Sequence, residues 1–230
     1  MKSNTTQLVN RGFINNNIEH NYNNLLFNQK VDLLNSKLAT DRTLGARLLS
    51  INREISAVDI LINALKKEKK LYTKIEICNS LVTFGQHAVV PLINQLGKIG
   101  NNQYKQIPTQ PFKKINYPLP RDIAARTLMR IGEKALPHLL PVLKSKNTLQ
   151  LSEAIDVVGY ICFYNYQPSV FNFIEECFMC NKQNPLIQWK LIRAMSAFAE
   201  SKEFLKNLLE TNTPLKTEIN RSILLIERNI

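Results

Sequence analysis

Apolar residues in this chain recur three and four positions apart, in short runs separated by polar breaks. Between residues 121 and 143, Ile123, Ala124, Leu128 and Ile131 follow helical spacing, Gly132 interrupts, and Leu136, Leu139, Leu140 and Leu143 resume it. Neither helix can bury its stripe alone, so the pattern predicts a pair packed face to face, with Gly132 in a left-handed corner. The same rhythm predicts a pair at 40–65, with Thr40 or Asp41 as its cap, and another with helices near 71–84 and 87–98. A further pair is expected at 149–181. Another opens at Asn184-Pro185, and a last helix follows Thr213-Pro214. Pro141 removes a backbone donor from the second helix of the 121–143 pair, which predicts a kink or an early end there. Residues 18–38 read as a capping unit and residues 1–17 as a polar, asparagine-rich leader that frays. The reading is therefore all-α: about five helix pairs with terminal capping helices, forming a single domain over 18–230.

Residues 121–143 resemble the HEAT repeat, in particular the form found in phycobilisome-lyase-type repeat proteins. The resemblance rests on Arg121, the small pair Ala124-Ala125, Leu128-x-x-Ile131-Gly132, and Ala135-x-Pro137-x-Leu139. A weaker copy lies at 77–96, where Phe84-Gly85 marks the corner and Ala88-x-x-Pro91-Leu92 opens the second helix. The resemblance implies a right-handed α-α superhelix, a HEAT-like solenoid. Two enzyme classes share such repeats, phycobilisome lyases and certain alkylpurine DNA glycosylases. The glycosylases use paired tryptophans with an acidic residue and an arginine, whereas this chain has one tryptophan, Trp189, which reads as core. The fold carries over and neither activity does.

The repeat rhythm stops at 99–119, where Pro108, Pro111 and Pro118 exclude helix and Pro120 follows. Lysines and the aromatics Tyr104, Phe112 and Tyr117 interleave there, a mixture that can hold phosphates and stack bases or can pack back onto the helices. Thirty Lys and Arg against 18 Asp and Glu give a net charge of +12, which favours an acidic partner or reflects a solvated lysine coat. No apolar run at the start reaches signal-peptide character and none approaches the roughly eighteen residues of a membrane span, so a cytoplasmic setting is expected. Cys78, Cys162, Cys177 and Cys180 then read as free thiols.

Cys177-x-x-Cys180 has metal-like spacing but lacks the two further ligands zinc needs. His20, His87 and His138 are scattered without a paired nucleophile or carboxylate. No catalytic residue, metal site or cofactor is expected. The function this supports is a non-enzymatic scaffold, favoured as a monomer, that holds a protein partner on a concave face lined by second helices. The alternative is a nucleic-acid binder with a basic surface. Across the two readings the candidate contact residues are Asn63, Lys66, Lys67, Asn94, Gln95, Lys113, Lys114, Arg121, Arg126, Arg130 and Lys144. A repeat-fold enzyme, the weakest reading, requires a pocket containing a buried charge pair.

Overall fold

In the computed structural model, which describes residues 4–22, 24–110, 112, 114–211 and 214–229, every regular element among those residues is helical. The chain forms two compact units, Met1–Leu92 and Ile93–Ile230.

The first unit contains α1 (Thr5–Asn10), α2 (Phe27–Leu34), α3 (Ala39–Ile51), α4 (Ala57–Lys67) and α5 (Leu71–Thr83). Helix α3 lies centrally, packed on α2 and α5, and α4 closes against α5. The buried face of α4 comes from Val58, Leu61, Ile62 and Leu65, as the spacing predicts. The start of α3 differs from expectation. It begins at Ala39, and the Asp41 carboxylate, within the first turn, accepts the Ser36 hydroxyl at 2.8 Å in place of capping amides. In the leader, the carbonyl of Gly12 accepts the buried Thr43 hydroxyl at 2.7 Å, and Thr43 Oγ1 lies 2.8 Å from Thr73 Oγ1. Two arginines of α3 tie this unit together electrostatically. Arg42 holds Glu68 through two bonds of 2.8 and 3.0 Å, and Arg47 reaches both Glu76 and Glu19 at 2.9 and 3.0 Å.

Helix α6 (Val89–Ile93), preceded by a 3₁₀ turn at Gly85–Ala88, runs across the unit boundary. It stops well short of residue 98. Beyond it, amides reach back three residues from Leu96 and Lys98, and Gly97 and Gly100 both take φ of 76°, which ends any helix. Asn94 and Gln95 therefore stand on turns and not on a second helix.

The second unit holds α7 (Ile123–Ile131), α8 (Leu136–Leu139), α9 (Thr148–Tyr164), α10 (Phe171–Cys180), α11 (Pro185–Met195), α12 (Ser201–Thr211) and α13 (Lys216–Asn229). Helices α7, α9, α11 and α13 are successive neighbours. The 3₁₀ turn Leu140–Lys144 packs on α9 and α10, α10 on α11, and α12 on α13. Pro137 and Pro141 leave α8 a single turn that passes into the 3₁₀ segment, the early ending the prolines predict. Asn184 caps α11 as expected, its side chain accepting from the Ile187 amide at 3.1 Å. Thr213 lies outside the described residues. Gly132 makes the corner after α7 with φ 79° but ψ −147°. That is a positive-φ conformation essentially reserved for glycine, extended rather than left-handed helical.

Residues 94–122 lie against the first helices of this unit, and their aromatics pack back onto it. Tyr117 is 2% exposed and Pro118 and Pro120 are buried. The Tyr117 ring lies over Gly159 of α9 and against Tyr160 and Phe163. Arg221 of α13 grips the carbonyls of Lys114 and Asn116 at 3.3 and 2.6 Å. At the end of the segment Asp122 is fully buried. One of its oxygens caps α7 through the Ala125 amide at 2.8 Å, and the other accepts from Gly97 and Gln103 at 3.2 and 2.7 Å. With second helices on one side and this segment on the other, every residue of 151–159 and 187–196 is buried.

Candidate functional site

Two such encircled helices bring charge into the interior. Helix α9 contributes Glu153 and Asp156, and α11 contributes Lys190 and Arg193, all at most 3% exposed. The Lys190 ammonium donates to Glu153 Oε1 at 2.8 Å and to the Ser152 carbonyl at 3.0 Å, and it forms an ion pair with Asp156 Oδ2 at 2.9 Å. Arg193 Nη2 meets Asp156 Oδ1 at 3.2 Å. Its guanidinium lies 4.0 Å from the Trp189 ring centroid and 5.8 Å from that of Tyr104, which meets Trp189 edge-on at 5.1 Å. Arg121 covers the same tyrosine ring at 4.5 Å from the surface side. Trp189, at 6% exposure, is core as the sequence suggests.

Burial pushes the Glu153 carboxyl above its ordinary range although Lys190 pulls it down. Burial also works against the Arg193 cation, but Asp156 beside it keeps the guanidinium pKa above its usual value. The Asp122 carboxyl is raised by burial in spite of the amides it accepts. Desolvating such a cluster costs several kcal/mol per ion unless the geometry compensates. Here compensation is incomplete. Tyr117 Oη, Glu153 Oε2 and Arg193 Nε are the buried side-chain polar atoms among the described residues that lack a hydrogen-bond partner. A cavity of about 240 Å³ adjoins the cluster, lined in part by Tyr104, Phe112, Trp189, Leu215 and Glu218. It is smaller than the roughly 300–1,000 Å³ of most ligand sites. Its carboxylate, Glu218, is already engaged by Arg221 at 2.7 Å. The cluster thus works as a charge-balanced cross-link between α9 and α11.

None of these four residues is among the candidates that the sequence pattern singles out. The signal was present: Glu153 and Asp156 stand three apart, Lys190 and Arg193 stand three apart, and each bonded pair is separated by the same 37 residues. The acids and the bases thus stand in the same register on the neighbouring helices α9 and α11.

The candidate contact residues fall into separate groups. Asn63, Lys66 and Lys67 are exposed on α4 in the first unit. In the second, Asn94 is exposed and Gln95 half-buried, and Lys114 sits in the covering segment. Arg121 and Arg126 are exposed but partly occupied. Arg121 Nη2 donates to Asn102 Oδ1 at 2.8 Å, and Arg126 Nε donates to the Pro120 carbonyl. Arg130 is exposed on the last turn of α7. Lys113 lies outside the described residues. Lys144 bonds Glu176 at 3.0 Å, with both side chains more than half exposed. This pair sits at a groove of about 380 Å³ between residues 143–146 and α10, whose wall includes Cys177 and Cys180. None of the four cysteines forms a disulfide. Cys78, Cys162 and Cys177 are buried, while Cys180 is exposed.

No protein-family model and no curated protein matches the chain. Among solved structures, the crystal structure of an engineered protein from the Northeast Structural Genomics Consortium is similar at 16% identity. The likeness covers 88% of this chain and 96% of that one with a TM-score of 0.39. A second engineered protein from the same consortium is similar at 14% identity over 88% and 98% of the two chains, with a TM-score of 0.37. Likeness this distant fixes neither the arrangement of the helices nor a function.

Proposed function

We propose that the chain is a HEAT-like helical-repeat module, its pairs stacked as a right-handed superhelix, that holds a protein segment against its second helices and performs no chemistry of its own. The observation that carries this reading is the asymmetry of the second unit. Its first helices are covered by residues 94–122, whereas α10 and α12 bury one stripe each and keep the opposite side in solvent. That open side mixes signs: Lys144 faces Glu176, Lys206 faces Glu203, and Met179 is half exposed. Exposed ion pairs of this kind contribute little stability and exchange partners easily. Interspersed carboxylates suit a polypeptide and repel a phosphate backbone, which is held by clustered cations. Of the arginines of the nucleic-acid alternative, Arg121, Arg126 and Arg130, the first two already bond the covering segment.

The test is selection from a random displayed peptide library, followed by fluorescence anisotropy on the selected peptides and on DNA and RNA of 20 to 30 nucleotides (roughly the span of several phosphate contacts). Peptide binding that drops at least about tenfold in Lys144→Glu/Lys206→Glu, and survives Arg126→Glu, supports the reading; tenfold corresponds to about 1.4 kcal/mol. Nucleic-acid binding that persists at about 150 mM salt and disappears in Arg121→Glu/Arg126→Glu would refute it.

A further inference from the structure

The groove beside α10 contains two sulfurs on one helical face. Cys177 and Cys180 occupy positions three apart in the final turn of α10, and both line the groove with Lys144, Lys146, Glu176 and Asn181. The deeper sulfur is held in place: the Asn181 side chain donates to the Cys177 carbonyl at 2.8 Å and approaches its Sγ at 3.6 Å. Cys177 is 4% exposed and Cys180 is open to solvent, so the pair has one anchored member and one accessible member.

Helical spacing decides what such a pair can do. Positions i and i+3 hold their Cβ atoms about 5–6 Å apart, whereas a disulfide requires about 3.5–4.5 Å. While α10 stays helical the sulfurs do not bond directly, yet an ion between them can span the gap. Zinc would need four ligands in a tetrahedron, and among the described residues no group of three or more His, Cys, Asp or Glu is placed to hold a metal ion. Soft thiolate ligands select copper(I), a closed-shell ion content with two sulfurs. We infer that Cys177 and Cys180 form a two-thiolate site for copper(I), entered from the groove and charge-compensated by Lys146.

Each thiol gives its proton to solvent as an S–Cu bond replaces an S–H bond, and no oxidation state changes. Two thiolates and one copper(I) leave a net charge of −1, which Lys146 opposes, while Lys144 is paired with Glu176 in the same groove. Because binding releases both thiol protons, affinity rises with pH. The inference does not depend on the partner proposed above.

The experiment titrates the reduced full chain anaerobically with copper(I) against a chromogenic chelator, alongside a zinc titration. Wild type should withdraw one equivalent of copper(I), more avidly at higher pH, and no zinc. Cys180→Ser changes an exposed side chain and so spares the fold. It should weaken copper binding by more than the roughly 10–100-fold that follows loss of an outer-shell partner, while Cys78→Ser retains wild-type affinity. Failure to withdraw copper, retention of the full equivalent by Cys180→Ser, or one equivalent of zinc lost in that variant would each overturn the assignment.

Discussion

Replacing Gly159 with alanine tests whether residues 94–122 belong to the core of the second unit. A Cβ built there falls inside the Tyr117 hydroxyl and within 2.7 Å of its Cζ, with Ala194 Cβ at 2.9 Å. On an exposed helix face the same change would stabilise α9 by about 1 kcal/mol, since alanine is the better helix former. Here the ring it meets is itself 2% exposed and pinned between α9 and the chain on which Arg221 closes, so it has little room to retreat. Overpacking of this kind costs roughly 1–3 kcal/mol. With contacts this close the upper end applies, giving a net destabilisation of about 2 kcal/mol after the helix gain is subtracted. Tyr117→Phe provides the partner measurement. It deletes a buried hydroxyl that has no hydrogen-bond partner, so it should be neutral or stabilising by on the order of 1 kcal/mol, where loss of a satisfied hydroxyl would cost about that much. In the double variant the hydroxyl clash is gone and the Cζ contact remains, so part of the Gly159→Ala penalty should be recovered. Urea unfolding of the four proteins, followed by far-ultraviolet circular dichroism, gives the coupling energy. A neutral or stabilising Gly159→Ala, or strict additivity with Tyr117→Phe, would refute the placement of Tyr117 over α9.

Two more outcomes follow from the charge clusters. Asp156→Ala takes one carboxylate away from both Lys190 and Arg193 and should destabilise the chain by about 3–5 kcal/mol in urea unfolding; a loss below about 1 kcal/mol would mean that the cations are solvated. In the first unit, burial raises the Glu68 carboxyl, but the Arg42 guanidinium and the amides of Lys70 and Lys69 outweigh it and leave the pKa below the ordinary glutamate range. A depressed folded pKa contributes stability that is complete above the unfolded value, about 4.3, and disappears as pH falls through the folded value. Stability should therefore decline on acidification below about pH 4.3, and Glu68→Gln should flatten that decline. An unchanged acid limb would show that the pair contributes nothing.

The helices were legible because amphipathic stripes report burial on one side. The face of α4, the corner at Gly132 and the shortened helix at Pro141 all follow from spacing, glycine and proline. Helices buried on every side give a weaker signal. In α9 and α11 the stripe is lost, and Glu153, Asp156, Lys190 and Arg193 look like solvent positions until the covering segment is placed over them. That segment is hard to read for the same reason. Four prolines prevent regular structure, and nothing local tells Tyr117 to lie on Gly159, a contact between positions 42 residues apart in the chain. Asp122 is the exception in reverse: a helix-capping residue by type, whose second oxygen carries a tertiary role that its neighbours in sequence do not announce.

The 37-residue offset shared by the Glu153–Lys190 and Asp156–Arg193 pairs also constrains how this stretch of the chain can change. Helices that meet only through apolar contacts tolerate a change of neighbour, because hydrophobic attraction is non-directional. A helix pair inserted between α9 and α11 would part the acids from the bases and leave two cations and two carboxylates buried without partners. The polar cluster therefore acts as an address, specifying which helix follows which and fixing the length of this stretch more strictly than leucine and isoleucine could.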